Sequence, residues 1–131
     1  TISEVPTTLE AARAARAGGL ATIGGSPNVV RGGSHSGGVS MRELAREGLL
    51  DALASDYVPA SLLQGALALT RTAGLSLPDA VALVTAAPAR LARLEDRGRL
   101  QEGLRADLVR FRLAEDTPRI DEVFVAGRRV F

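Results

Sequence analysis

The sequence predicts an α/β fold in which three parallel β/α units lead into a small β-structure. Three observations carry that expectation. Over residues 1–95, short apolar runs alternate with Ala- and Leu-rich amphipathic segments. Ser or Thr residues set three positions ahead of an acid open several of these segments, and glycines close them. Beyond residues 95–98 the helical pattern gives way to alternating strand-like runs between turn glycines.

The elements follow in order. Ile2–Val5 is a short apolar strand that Pro6 ends. Thr7 and Glu10 form a capping box for an Ala-rich helix that stops at Gly18-Gly19. Leu20–Ile23 is the second strand, and a long glycine-rich loop, Gly24 to Gly38, follows it. Ser40 and Glu43 cap a helix ending at Gly48, and Leu50–Ala54 is the third strand. Pro59 opens a long amphipathic helix through Ala73, whose Leu62–Leu69 stripe is a core face. A further helix begins at Ser76/Pro78, carries the apolar Ala80–Val84 face, and is broken by Pro88. The tail offers strands at Asp107–Leu113 and Ile120–Ala126, with a return at Gly127-Arg128 to Val130-Phe131. Three parallel strands leave faces and edges that need cover. The alternatives are a small open sheet or the last units of a barrel.

Composition excludes several function classes. A net charge of +1 over 131 residues provides no field for nucleic acid or an anionic membrane surface. All 16 basic residues are Arg, which points to compositional bias more than to a phosphate-binding surface. With no Cys there are no disulfides, thiolate metal sites or cysteine nucleophiles. Aromatic content of 3% argues against base-stacking surfaces. No apolar run approaches the ~20 residues of a membrane span, so a soluble, cytoplasmic protein is expected.

Two places carry chemistry. Asp56 follows the third strand, where parallel β/α folds place catalytic groups, although it also suits a helix cap ahead of Pro59. Arg31, Gly32, Gly33, Ser34 and His35 form a stretch whose amides and guanidinium suit an anion. Its glycine spacing is not that of a P-loop, and a surface loop is the plainer account. His35 is the sole histidine. Glu4, near the end of the first strand, faces the site or sits at its rim. Tyr57 reads as packing, and Arg90, Arg93, Arg97 and Arg99, interleaved with Glu95, Asp96 and Glu102, read as a solvated face.

The run LSLPDAVALVTAAPARLARLEDRGRLQEGLRADLV, with VFVAGRRVF after it, resembles the closing segment of amidohydrolase-superfamily enzymes. Thr85, Pro88-Ala89, Gly98, Gly103, Ala106-Asp107-Leu108 and Gly127-Arg128 carry the likeness, while Ala87 and Arg93-Leu94 depart from the usual pattern. ISEVPTTLEAARAARAGG, SPNVVRGGSHSGGVS and LLDALASDYVPASLL resemble the phosphonate-metabolism diphosphatase family PhnM, with Gly38 standing where the family more often has Asn. That family acts on α-D-ribose 1-methylphosphonate 5-triphosphate in the carbon–phosphorus lyase pathway.

The resemblance implies that the chain is the C-terminal piece of a longer hydrolase, incomplete as given. Residues 1–95 would be the last three β/α units, strands 6–8, of a TIM-type (β/α)8 barrel. Residues 96–131 would be the closing strands of a small β-sandwich domain. It implies divalent metal, zinc by preference, with most ligands elsewhere, since a bridging carbamylated Lys cannot lie in a chain without Lys. Asp56 would be the catalytic aspartate that binds metal or takes a proton from the attacking water. Arg31 to His35 would hold the phosphorylated small-molecule substrate. A homo-oligomer or self-associating piece, inactive alone, is expected. Hydrolysis of a C–N bond, as in dihydroorotase-like or deacetylase-like relatives, and a non-catalytic phosphate-binding or assembly module are the other readings.

Overall fold

The computed structural model describes residues 2–4, 6–32 and 38–131. Strand β1 (Ile2–Glu4) is followed by helix α1 (Leu9–Ala17), strand β2 (Ala21–Gly25), and helices α2 (Ser26–Arg31) and α3 (Met41–Arg46). Strand β3 (Ala52–Ala54) then leads into α4 (Ser61–Thr72), α5 (Leu77–Ala82) and α6 (Ala86–Leu91). The chain closes with β4 (Leu108–Ala114), β5 (Thr117–Val125) and β6 (Arg128–Arg129).

The first three strands form a parallel sheet in the order β1-β2-β3, with Glu4 opposite Ile23 and Gly25 opposite Ala54. All three therefore end on one rim. The core lies where the helices cover this sheet: Met41, Leu44, Leu50, Leu53, Ala66 and Leu69 are buried together. Gly24 admits Met41, because a Cβ at that position would collide with the Met41 sulfur. Among the described residues, Thr22 Oγ1 is a buried side-chain atom with no hydrogen-bond partner.

Caps set the helix starts. Thr8, one residue later than Thr7, caps α1 by accepting from the Ala11 amide at 3.1 Å. The capping box of Ser40 and Glu43 is formed, and Ser76 accepts from the Asp79 amide. Pro59 stands in the turn before α4, which starts at Ser61. Pro88 breaks nothing: the chain interrupts its helix at Leu83–Thr85, and Pro88 lies in the first turn of α6, where no helical N–H is needed.

The last three strands form an antiparallel sheet in the order β4-β5-β6. The β4–β5 turn is the pair Glu115-Asp116, both at positive φ (47° and 64°), so β5 starts at Thr117, earlier than Ile120. Asp107 ties this sheet's closing turn, accepting from the Ala126 amide at 2.8 Å and from Arg105 Nε at 2.9 Å. Arg97 lies 3.5 Å from the same carboxylate, so it is not simply solvated. Among the described residues no helix is long and apolar enough to cross a membrane.

Candidate functional site

The rim where β1, β2 and β3 end carries Glu4 and Asp56, and the helix that follows β2 carries Arg31. The expected Gly24–Gly38 loop is not a loop throughout: Ser26–Arg31 is helical. Ser26-Pro27 was the available signal, since proline is preorganised for the first turn of a helix. Arg31 is therefore the last residue of α2, and Gly32 terminates the helix at φ 80°, a left-handed conformation suited to glycine. Gly33, Ser34 and His35 lie outside the described residues.

Helix α2 is anchored from below. Ser26 and Ser61 are both buried, with their hydroxyl oxygens 2.7 Å apart. Ser61 Oγ in turn donates to the Val58 carbonyl at 2.6 Å. Gly65 on α4 faces Ser26 so closely that a Cβ would come 3.0 Å from the serine Cβ. The glycine thus lets α4 and the start of α2 pack at close range, where any side chain would press on Ser26.

Asp56 follows β3 at φ 48° and is exposed. Its carboxylate lies over the backbone of Gly25, where a Cβ would collide with Oδ2. Gly25 itself has φ −78° and ψ 120°, values open to any L-residue. What Gly25 contributes is space for Asp56. That dependence is absent from the linear sequence, because it joins the ends of two strands.

Tyr57 is 70% exposed, which corrects its reading as a packing residue. Its hydroxyl accepts from Arg31 Nη1 at 3.0 Å, and the guanidinium carbon stands 5.8 Å from the ring centroid. The structure thus places Arg31 and Asp56 on the same rim, linked through the residue that follows Asp56. Glu4 is exposed at this rim as well.

Among the described residues no three His, Cys, Asp or Glu side chains converge to hold a metal ion. Asp56 offers one carboxylate. That suits a single ligand and not a complete donor set, which takes three or four protein groups for a catalytic or structural zinc.

The amidohydrolase family profile matches residues 3–131. The chain belongs to the amidohydrolase family. It is 51% identical over 132 aligned positions to the α-D-ribose 1-methylphosphonate 5-triphosphate diphosphatase of Escherichia coli (strain K12), covering 99% of this chain and 35% of that protein. It is also 36% identical over 110 positions to the dihydroorotase of Methanopyrus kandleri (strain AV19), covering 71% of this chain and 25% of that protein. The chain thus spans about a third or less of the length of these curated relatives. Among solved structures, an amidohydrolase from Thermotoga maritima MSB8 superposes with a TM-score of 0.62 at 17% identity, covering 99% of this chain and 43% of that one. This last likeness concerns the fold.

Proposed function

We propose that this chain is the closing part of a metal-dependent diphosphatase that cleaves the triphosphate of α-D-ribose 1-methylphosphonate 5-triphosphate and releases pyrophosphate. The observation that carries the reading is the shared rim: a carboxylate at Asp56 and a guanidinium at Arg31, bridged by Tyr57. The 51% identity to the E. coli enzyme supports the choice of substrate. Residues 1–95 would supply the last three units of the barrel, strands 6–8, and residues 96–131 the closing strands of a small β-domain. The chain alone would be inactive and prone to self-association, and the full protein would act in the cytoplasm.

In the hydrolysis, a water oxygen forms a bond to the phosphorus next to the sugar. The bond from that phosphorus to its bridging oxygen breaks, and pyrophosphate leaves with the electron pair. Asp56 accepts the proton of the attacking water. Arg31 binds phosphate oxygens through its planar fork, which fixes the triphosphate against the rim. A bound divalent cation, zinc by preference, supplies positive charge that acidifies water and offsets phosphate charge. Asp56 would give it one oxygen, with the other ligands outside the described residues. Gly32, Gly33, Ser34 and His35 would complete the phosphate cradle.

The similarity to dihydroorotase favours C–N hydrolysis as the second reading, because Asp56 can serve either reaction. Arg31→Ala in the full-length protein separates them. Loss of a charge-assisted contact is worth ~1.5–3 kcal/mol, so kcat/KM on the triphosphate should fall roughly 10- to 150-fold. Turnover of a neutral cyclic amide should hardly change. An equal loss on both substrates would remove the phosphate role of Arg31 and favour the amide reading.

A further inference from the structure

In the connection from β3 to α4, Asp56 and Tyr57 each meet a residue at one end of helix α2. At φ 48° the backbone of Asp56 is left-handed, a region that Asp visits more readily than most L-residues. The Asp56 side chain falls on Gly25, the residue that precedes α2, while the Tyr57 side chain falls on Arg31, the residue that ends it. Consecutive residues thus grip the two ends of one helix. With six residues in α2, the span between the grips is about 9 Å.

We infer that Tyr57 is a positioning residue, which holds the Arg31 guanidinium at a fixed distance from the Asp56 carboxylate so that Arg31 binds the oxygens of an extended polyphosphate while Asp56 faces the attacking water. The inference rests on the reading that Arg31 binds phosphate. Arg is a long side chain with much rotamer freedom, and an exposed one loses binding energy to ordering when a ligand arrives. The Tyr57 hydroxyl accepts one of its five N–H groups, and the ring lies within cation–π range of the same guanidinium. Both contacts act before any ligand is present, so the ordering is already done. Tyr57 itself is held by the backbone of its turn, where the Val58 amide donates to the Ser55 carbonyl at 2.9 Å. An exposed tyrosine of this kind adds little to the core, and its use lies in what it orients.

The test uses the full-length protein with inorganic tripolyphosphate as inhibitor and the triphosphate as substrate. Tyr57→Phe keeps the ring and removes the acceptor. It should raise Ki for tripolyphosphate and KM for the substrate together, by about 2- to 12-fold, the scale of one hydrogen bond, with kcat much less affected. Tyr57→Leu, which also removes the ring, should raise both further. In an Arg31→Ala background neither change should add anything, because the group being positioned is gone. Additive losses in that background would mean that Tyr57 acts independently of Arg31, and would overturn the proposal. So would an unchanged Ki in Tyr57→Phe when Arg31→Ala alone raises it. If Arg31→Ala itself leaves Ki unchanged, the phosphate role of Arg31 fails first, and this inference fails with it.

Discussion

Asp51 and Asp56 flank the same short strand, β3, one before it and one after it, and their surroundings differ in kind. At the N-terminal end, both Asp51 oxygens are committed. One accepts from the Thr22 amide at 2.8 Å and the other from Arg16 at 2.9 Å, while the Asp51 amide donates back to the Thr22 carbonyl at 2.9 Å. That carboxylate fastens β2, β3 and the end of α1 together. At the C-terminal end, Asp56 is exposed, sits at positive φ, and occupies the space Gly25 leaves. One aspartate ties two strands and a helix together, and the other stands exposed in the turn that leaves β3. Parallel β/α folds divide their ends in this way, with stability at the N-terminal face and chemistry at the C-terminal face.

The largest effect that would break this contrast is at Asp56. Asp56→Asn in the full-length protein should lower turnover of the triphosphate by ~10²–10⁴, the scale of a general base. The melting temperature should stay put, because Asn tolerates the left-handed region as well as Asp does. Near-parental turnover would reduce Asp56 to a turn residue. Gly25→Ala comes next and tests the same carboxylate from the opposite strand. The new methyl leaves the backbone unstrained but displaces the carboxylate, and a misplacement of ~1 Å can cost on the order of 10² in rate. Turnover should therefore fall about 10- to 100-fold with little loss of stability. Equal losses of stability and turnover would show that Gly25 serves packing instead.

Much of this rim was legible in the sequence. The strand pattern puts Asp56 just after the third strand, but pattern alone leaves it equally a helix cap and leaves Arg31 in a plain surface loop; the family resemblance is what points to both. Their linkage was not legible, for physical reasons. Helix α2 is too short, at six residues, to display an amphipathic repeat. Tyr57 next to an aspartate reads as a core aromatic until its exposure is known. Gly25 reads as loop, because the group its missing Cβ makes room for is far along the chain. The Glu115-Asp116 turn was hidden for a different reason: the usual hairpin signal is Asn-Gly or Asp-Gly, and here two acids take the positive-φ positions. The parallel sheet and the closing antiparallel strands, by contrast, follow from local apolar patterning and turn glycines.

A smaller effect is expected at the other end of β3. Asp51→Ala removes the acceptor of the part-buried Thr22 amide, which should cost ~1–3 kcal/mol in urea unfolding and leave turnover of the folded enzyme unchanged. Asp51→Asn retains one carbonyl oxygen and should cost less. Arg16→Ala should cost under ~1 kcal/mol, since that pair is partly exposed and screened. A loss of turnover in Asp51→Ala without loss of stability would erase the distinction between the two rims.

The smallest effect is a pH dependence in the closing sheet, where Asp107 repeats the Asp51 pattern. The Ala126 amide holds its carboxyl below the usual carboxylate range, and the Arg105 hydrogen bond and the Arg105 and Arg97 charges act in the same direction against partial burial. A carboxyl with a depressed folded pKa stabilises the fold fully above its unfolded value, near ~3.9, and loses that contribution as pH falls through the lower folded value. Nothing should change between neutral pH and about pH 5. As pH falls below the unfolded value and through the lower folded one, the Ala126 amide should lose its acceptor, and its protection from hydrogen exchange should drop before the amides of β2 and β3 respond. Glu10, by backbone hydrogen bonding at its helix start, and Asp96, by the neighbouring Arg97, are also held low, so the global acid limb mixes all three groups, whereas the Ala126 amide reports on Asp107. In Asp107→Asn the Ala126 protection should be lower throughout and should no longer vary with acid. If protection of that amide in the parent tracks global unfolding at every pH, Asp107 is not the local fastening that its contacts describe.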